Sequence, residues 1–390
     1  MKNNNAGLRE GQVAVLDIGS SSVKAVIGER GVNKTFVIKS IAERNYSGFC
    51  DGKFIDEDDF LSVVKEVLYA VMNNCAIKVD VLYVSVPGDW CAVVTKEHQV
   101  SFPKKKKITD ETLNEVSKTA FNFNAPNYKL INWGATYYVL DDNRRVAVAV
   151  GQVTETLRGV FSFVMVDSYF INIMESACSL LGIAKLEYVS STLAEALYLF
   201  SPEIRDRTAI MVDCGYTTTT FTIIQGDGLL YQKSFNYGGG YITALIADKL
   251  NIDMRLAEKI KRKVNLSCRF DENDIYRIYD GSQEYEYSAR YINELVEGSL
   301  DDFCEGIEKC LVNSNVAFAD YIPLSLTGGG VSYIRGIKDA VTRRINMVVE
   351  IVSPSTPYMN KPADSSVLSL LDIALSQKPK QEKLFKKYLK

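Results

Sequence analysis

Apolar residues gather in short runs that stop at a glycine, and the runs recur in one order. Residues 13–17 are apolar up to Asp17, a glycine-containing turn follows, and residues 23–27 form the next run. A third run covers 35–42 beyond a turn at 28–33, so the spacing predicts a β-meander whose first turn is rich in hydroxyls. Asp56 then suits a helix N-cap, with Asp58 and Asp59 in the first turn, where the helix dipole favours acids. Phe60, Val63, Val64, Val67, Leu68 and Val71 follow at helical spacing and mark one face. A strand over 80–86 stops at Pro87-Gly88.

The same order returns later. A strand over 209–213 leads to the turn at 214–218, a strand over 219–224, a hairpin turn at 226–228 and a strand over 229–235. LDIGSSSVKAVIG at 16–28 and VDCGYTTTTFTII at 212–224 are two copies of one hairpin. Such a pair implies two related α/β domains facing each other. Between the copies, residues 87–166 read as a β-rich insertion with a helix near 110–121. Helices are expected over 167–181, 191–200, 255–264 and 291–312, and from the glycines at 238–240 through 249. Residues 265–288 are polar and suggest loops and short strands. An apolar strand at 324–330 ends in three glycines ahead of a helix near 333–344.

Composition narrows the function classes. Hydrophobic content of 47% with 24% charged residues, over 390 residues, suits a globular chain with more than one core. A net charge of −3 offers no global basic footprint, so no nucleic-acid partner is expected. The eight cysteines form no C-x-x-C pair and are thin for a disulfide framework; they read as reduced thiols of a cytoplasmic protein. Residues 1–12 lack an apolar signal core, and no segment reaches the apolar length that spans a bilayer. The one histidine, His98, argues against Ser-His-Asp or Cys-His catalysis and a histidine-rich metal site. Chemistry falls to carboxylates, hydroxyls, backbone amides or a carried metal.

In Asp17-Ile18-Gly19-Ser20-Ser21-Ser22 the glycine and small hydroxyls let backbone N–H groups approach a phosphate. Lys24 adds positive charge, and Asp17 at the strand end suits a hydrated Mg²⁺. The second loop repeats the acid as Asp213, the glycine as Gly215 and the hydroxyls as Thr217 and Thr218. Either loop alone is a plain turn; the pairing is what favours a phosphate site. Gly238–Gly240 and Gly328–Gly330 set bare backbone beside helix N-termini, where an anion or flat base can approach. Glu258 and Lys261 share a helix face and suit a ribose and an adenine edge, with a solvated ion pair as the alternative.

Shorter stretches add to the loops: YSGFCDGKFID at 46–56, ITDETL at 108–113, YGGGYIT at 237–243, AEKIK at 257–261 and LTGGG at 326–330. Together, over residues 11–377, they resemble the actin, sugar-kinase and Hsp70 superfamily, and within it the bacterial cell-division family FtsA. The resemblance implies an α/β chain with the actin-like fold: two related RNase H-like domains, an ATP cleft between them, and the family's inserted 1C subdomain. Subdomain 1A would comprise 11–86, 167–200 and a closing helix at 361–377, and subdomain 1C would be 87–166. Subdomain 2A would take 201–240 and 313–360, and 2B would take 241–312, with a basic amphipathic tail at 378–390. Also implied are ATP and Mg²⁺, filaments of the chain itself, and binding of the tubulin-like protein FtsZ and other division proteins. Its implied place is peripheral, on the inner face of the cell membrane at the division site.

By position in the family, Asp17, Glu195 and Asp213 are the catalytic acids, with Asp17 and Asp213 holding Mg²⁺ through water. Glu195 falls where the superfamily places a group that orients the attacking water; a helix-surface glutamate is the alternative. Gly19, Ser20, Ser21, Lys24, Gly215, Thr217 and Thr218 would meet the phosphates, and Gly239, Glu258, Lys261, Gly328 and Gly329 the nucleoside. The usual family loop reads D-x-G-G-G-T-T-D, whereas here Tyr216 and Thr217 replace glycines and Thr220 replaces the last acid. Side chains there restrict approach to the β- and γ-phosphates, so hydrolysis is expected to be slow or absent. The pilus-assembly protein PilM has a similarly glycine-poor loop, which keeps a PilM-like scaffold as the rival, with a small-molecule kinase behind it. At the end of the chain Leu384, Phe385, Tyr388 and Leu389 form an apolar face amid lysines, which suits a membrane surface; an ordinary lysine tail is the alternative.

Overall fold

The computed structural model describes residues 6–32 and 35–376. The tail residues Leu384, Phe385, Tyr388 and Leu389 lie outside the described residues. Two five-stranded sheets of one topology organise the chain. The first runs Lys185–Ser190, Val81–Val86, Gln12–Ile18, Ser22–Arg30 and Phe36–Asn45 across its width. The second runs Val349–Ile351, Leu324–Thr327, Ala209–Cys214, Thr219–Gln225 and Gly228–Phe235. In each, the last three form an antiparallel meander and two parallel strands extend the other side. The chain thus has the α/β, two-domain actin-like architecture, and the registers match as well. Asp17 pairs with Lys24 in the first sheet, and Asp213 pairs with Thr220 in the second.

Strand alternation assigns the two faces of the first sheet. Ala14, Leu16 and Ile18 point to one side and pack with Phe60, Val64 and Leu68 of the helix Glu57–Cys75. That helix is capped as its sequence suggests, the Asp56 carboxylate accepting from the Asp59 N–H at 3.0 Å. Val15 and Val26 point to the opposite side, against Val367, Leu370 and Leu371 of the closing helix Ser365–Ser376. Gly28 permits this docking, since a Cβ there would come within 3.1 Å of Leu371. In the second domain the core joins Val212, Phe221 and Leu326 to Ile292, Val296 and Phe303 of the long helix Ala289–Ser314.

Between the sheets in sequence lies a third, antiparallel sheet ordered Arg145–Val146, Tyr128–Leu140, Val153–Asp167 and Cys91–Lys107. The helix Asp110–Ala120 covers it through Val116 and Ala120. This inserted unit also grips the second domain. The Ser162 hydroxyl donates to the Leu229 carbonyl at 2.7 Å and accepts from the Leu229 N–H at 3.0 Å. Arg205 backs the same hairpin, donating to the Gly226 carbonyl at 2.9 Å and to the Asp227 carboxylate at 2.6 Å.

Some elements depart from the sequence pattern. The apolar strand at 324–330 stops at Thr327, because Gly328 takes a left-handed φ of 86°. The helix expected from about 333 begins at Ile337, after Gly336 turns the chain at a φ of 79°. Among the described residues no helix is long and apolar enough to cross a membrane. Leu371 is fully buried between closing helix and sheet, so Leu371→Ala should cost about 2–5 kcal/mol, read as a lower urea midpoint. An unchanged midpoint would mean the helix adds nothing to the first domain.

Candidate functional site

The two sheet-end loops face each other across one cavity of about 610 Å³. At the first, the Asp17 carboxylate accepts from the Ser85 hydroxyl at 3.1 Å and from the Ser366 hydroxyl at 2.6 Å. The neighbouring strand and the closing helix therefore both hold it. Burial raises its proton affinity, opposed by Ser366, Lys24 and Ser85. Gly19 closes the turn, its N–H donating to the Ser22 carbonyl at 2.9 Å and its carbonyl accepting from the Tyr46 hydroxyl at 2.8 Å. Lys24 lies 3.5 Å from Glu43 on the next strand. Ser21 also lines the cavity.

The second loop is shaped by contacts with the first. Ser20 Oγ accepts from the backbone N–H groups of Tyr216 at 2.8 Å and Thr217 at 3.2 Å. Gly215 lies beneath this contact, and a Cβ there would meet Ser20 Oγ at 2.7 Å. Its N–H donates to the Thr218 carbonyl at 2.9 Å. Thr217 turns out of the cavity, its hydroxyl donating to the Phe49 carbonyl of the other domain at 2.7 Å. The aromatic side chain of Tyr216 packs on Gly240, and Lys261 Nζ lies 5.6 Å from its ring centre.

Acids dominate the cavity. Asp17, Asp89, Glu195 and Asp213 all line it. Burial, then the nearby Asp17 and Asp89, push the Asp213 carboxyl up to about 6. Glu195 is 1% exposed, so it is no helix-surface residue. Its Oε1 accepts from the Ser365 hydroxyl at 2.7 Å, while Oε2 has no partner among the described residues. Burial first and Asp213 next hold its carboxyl well above the usual carboxylate range. Asp89 Oδ2 also lacks a partner there, and burial pushes that carboxyl up to about 6 against the hydroxyls of Thr218 and Ser234. Among the described residues no group of three or more His, Cys, Asp or Glu side chains is arranged to hold a metal ion. A hydrated ion held by one or two carboxylates does not need such a group.

Glu258 and Lys261 stand at the far side of the cavity with Gly328 and Gly329. They do form an ion pair, 2.6 Å long, but Lys261 is 1% exposed rather than solvated. Its ammonium also donates to the Gly239 carbonyl at 2.6 Å and the Thr243 hydroxyl at 2.8 Å. Gly239 and Thr217 are the predicted site residues that do not line the cavity. Gly239 is packed on Gly330, where a Cβ would strike the Gly330 carbonyl, and its N–H donates to the Gly215 carbonyl. It supports the loop from behind.

Sequence reasoning missed Asp89, Ser365 and Ser366. Asp89 followed a strand-stopping Pro-Gly and carried that much signal; the serines reach the cavity only through the docking of the last helix. The lining fits a magnesium nucleotide at its acids, where two buried oxygens lack partners, and at Gly329, whose missing Cβ would meet only Ala363. At the second loop the Tyr216 and Thr217 amides are already taken by Ser20.

Comparisons with known proteins agree with this architecture. Residues 210–369 match the family model described as "Cell division protein FtsA". The cell division protein FtsA of Streptococcus pneumoniae serotype 2 is 21% identical over 376 residues, covering 94% of this chain and 80% of that protein. Among solved structures, the PilM–PilN type IV pilus biogenesis complex superposes with a TM-score of 0.62 at 16% identity, over 94% of this chain and 99% of the other. MreB5 of Spiroplasma citri bound to AMPPNP superposes at 0.56 and 12% identity, over 98% of this chain and 100% of the other. The chain thus has the actin-like fold, and its sequence is similar to FtsA proteins through the family match over residues 210–369 and the likeness along most of its length.

Proposed function

We propose that this chain is an actin-like scaffold of cell division that binds ATP with Mg²⁺ between its domains and hydrolyses it slowly or not at all. In this reading it assembles into filaments of itself and links FtsZ and other division proteins to the inner membrane face, with the basic tail as the membrane contact. One observation carries the reading: two like-built loops open onto one cavity lined by Asp17, Asp89, Glu195 and Asp213, in a chain whose residues 210–369 match the FtsA family model.

Asp17 and Asp213 would hold hydrated Mg²⁺, while Gly19, Ser20, Ser21 and Lys24 would meet the phosphates with Gly215 and Thr218. Glu258, Lys261, Gly328 and Gly329 would border the nucleoside. Bound Mg²⁺ would supply neutralisation of phosphate charge. Glu195, with one buried oxygen lacking a partner, is the group suited to orient a water. Slow turnover follows from Tyr216 and Thr217, where side chains stand in place of glycine and the amides bond to Ser20.

Asp17→Ala should abolish binding of a fluorescent ATP analogue with Mg²⁺; unchanged titration curves would remove Asp17 from the site. Because the Asp213 carboxyl is raised to about 6, it loses its charge as pH falls through that value. Mg²⁺-dependent binding should weaken about tenfold from about pH 7.5 to about pH 5, and a flat profile would contradict a cation held there. Intact protein should retain an FtsZ C-terminal peptide in a pull-down with ATP. Failure to retain it both with and without nucleotide would overturn the division role.

A further inference from the structure

Thr217 stands where the usual family loop has glycine, and its side chain reaches across the cleft. The hydroxyl donates to the Phe49 carbonyl at 2.7 Å. That acceptor is rigidly held: the Phe49 ring lies 4.6 Å from Trp90, and Phe49 is 2% exposed within the aromatic cluster. Gly48, at a φ of 87°, brings this segment against the first loop, since a Cβ there would meet the Ser20 carbonyl at 2.5 Å. Ser20 Oγ meanwhile accepts from the Tyr216 and Thr217 amides, so neither N–H is left free for a phosphate. Two more bonds flank the contact, from Gln232 Nε2 to the Gly88 carbonyl at 3.2 Å and from Asn236 Nδ2 to the Asp51 carboxylate at 2.8 Å.

We propose that Thr217 is a positioning residue that latches the second loop to the opposite domain, so the closed cleft persists without a γ-phosphate between the loops. The inference rests on the reading of the cavity as a nucleotide site. Glycine at this position lacks the hydroxyl, so the second loop would meet the opposite domain through Ser20 and the flanking Gln232 and Asn236 bonds, and a bound phosphate would add the missing bridge. With threonine the bridge is built into the chain. Free, ADP-bound and ATP-bound protein therefore share one arrangement at the cleft, and occupancy signals little to a partner.

Amide hydrogen exchange on the full chain tests this, read in peptides covering 46–52 and 214–220. Wild type should protect both segments about equally free, with ADP and with AMPPNP. Thr217→Val, which keeps the shape, should raise exchange there about 5–10-fold in the free protein, for one lost hydrogen bond. AMPPNP should restore the protection, and Thr217→Ser should behave as wild type. Equal exchange in wild type and T217V without nucleotide, or wild-type protection that appears only with AMPPNP, would overturn the latch. If T217V exchanges faster throughout the chain, Ser20→Ala decides on the same two segments by the same criteria. Calorimetry on wild type separates the two readings: no binding of either nucleotide would end the nucleotide assignment, while the free-protein comparison still decides the latch.

Discussion

Four carboxyl groups line one cavity between the two loops, and the surrounding structure is built to tolerate them. Asp17, Asp89, Glu195 and Asp213 each have their proton affinity raised by burial. Like charges in a low-dielectric site repel strongly, and only hydrogen bonds or an opposite charge offset that. Ser85, Ser365 and Ser366 supply the hydrogen bonds to Asp17 and Glu195. Two of these serines begin the last helix, so the end of the described chain stabilises the chemistry of its beginning. Lys24 is the cation nearest Asp17, and it also serves Glu43. A bound divalent cation would remove the imbalance that remains.

The duplicated sheets show how two copies of one hairpin diverge. At matching positions the first pairs Asp17 with Lys24, and the second pairs Asp213 with Thr220. The first keeps a charge balance within its own strands. In the second copy the compensating groups come from the other domain: Ser20 on the amides, Phe49 on Thr217, and Gly88 against Thr220. The lost glycines are thus accompanied by new contacts. Tyr216 adds its ring to the wall beside Lys261.

Much of this was legible in the residues. The repeated hairpin, the Asp56 cap and the apolar face of the helix Glu57–Cys75 are local patterns, and local patterns survive tertiary context. Gly239 read as a nucleoside contact because bare backbone is ambiguous: it serves close packing on Gly330 as readily as a ligand. Thr217 read as a phosphate hydroxyl because its spacing matched, while its direction depends on a carbonyl 168 residues away. Glu195 could not be distinguished from a surface glutamate, since its hydroxyl partner, Ser365, stands 170 residues away on the closing helix. Contacts over such separations leave no periodic trace in sequence.

The inserted sheet sets a further mechanical condition. Its Ser162 holds Leu229 of the second domain, well away from the cleft floor where Ser20 meets Tyr216 and Thr217. Thr217 on the Phe49 carbonyl, Gln232 on the Gly88 carbonyl and Asn236 on Asp51 tie the same two bodies at further points. Changing how the domains sit would have to break several such bonds together, so the hairpin that Arg205 buttresses shares the load with the cleft floor.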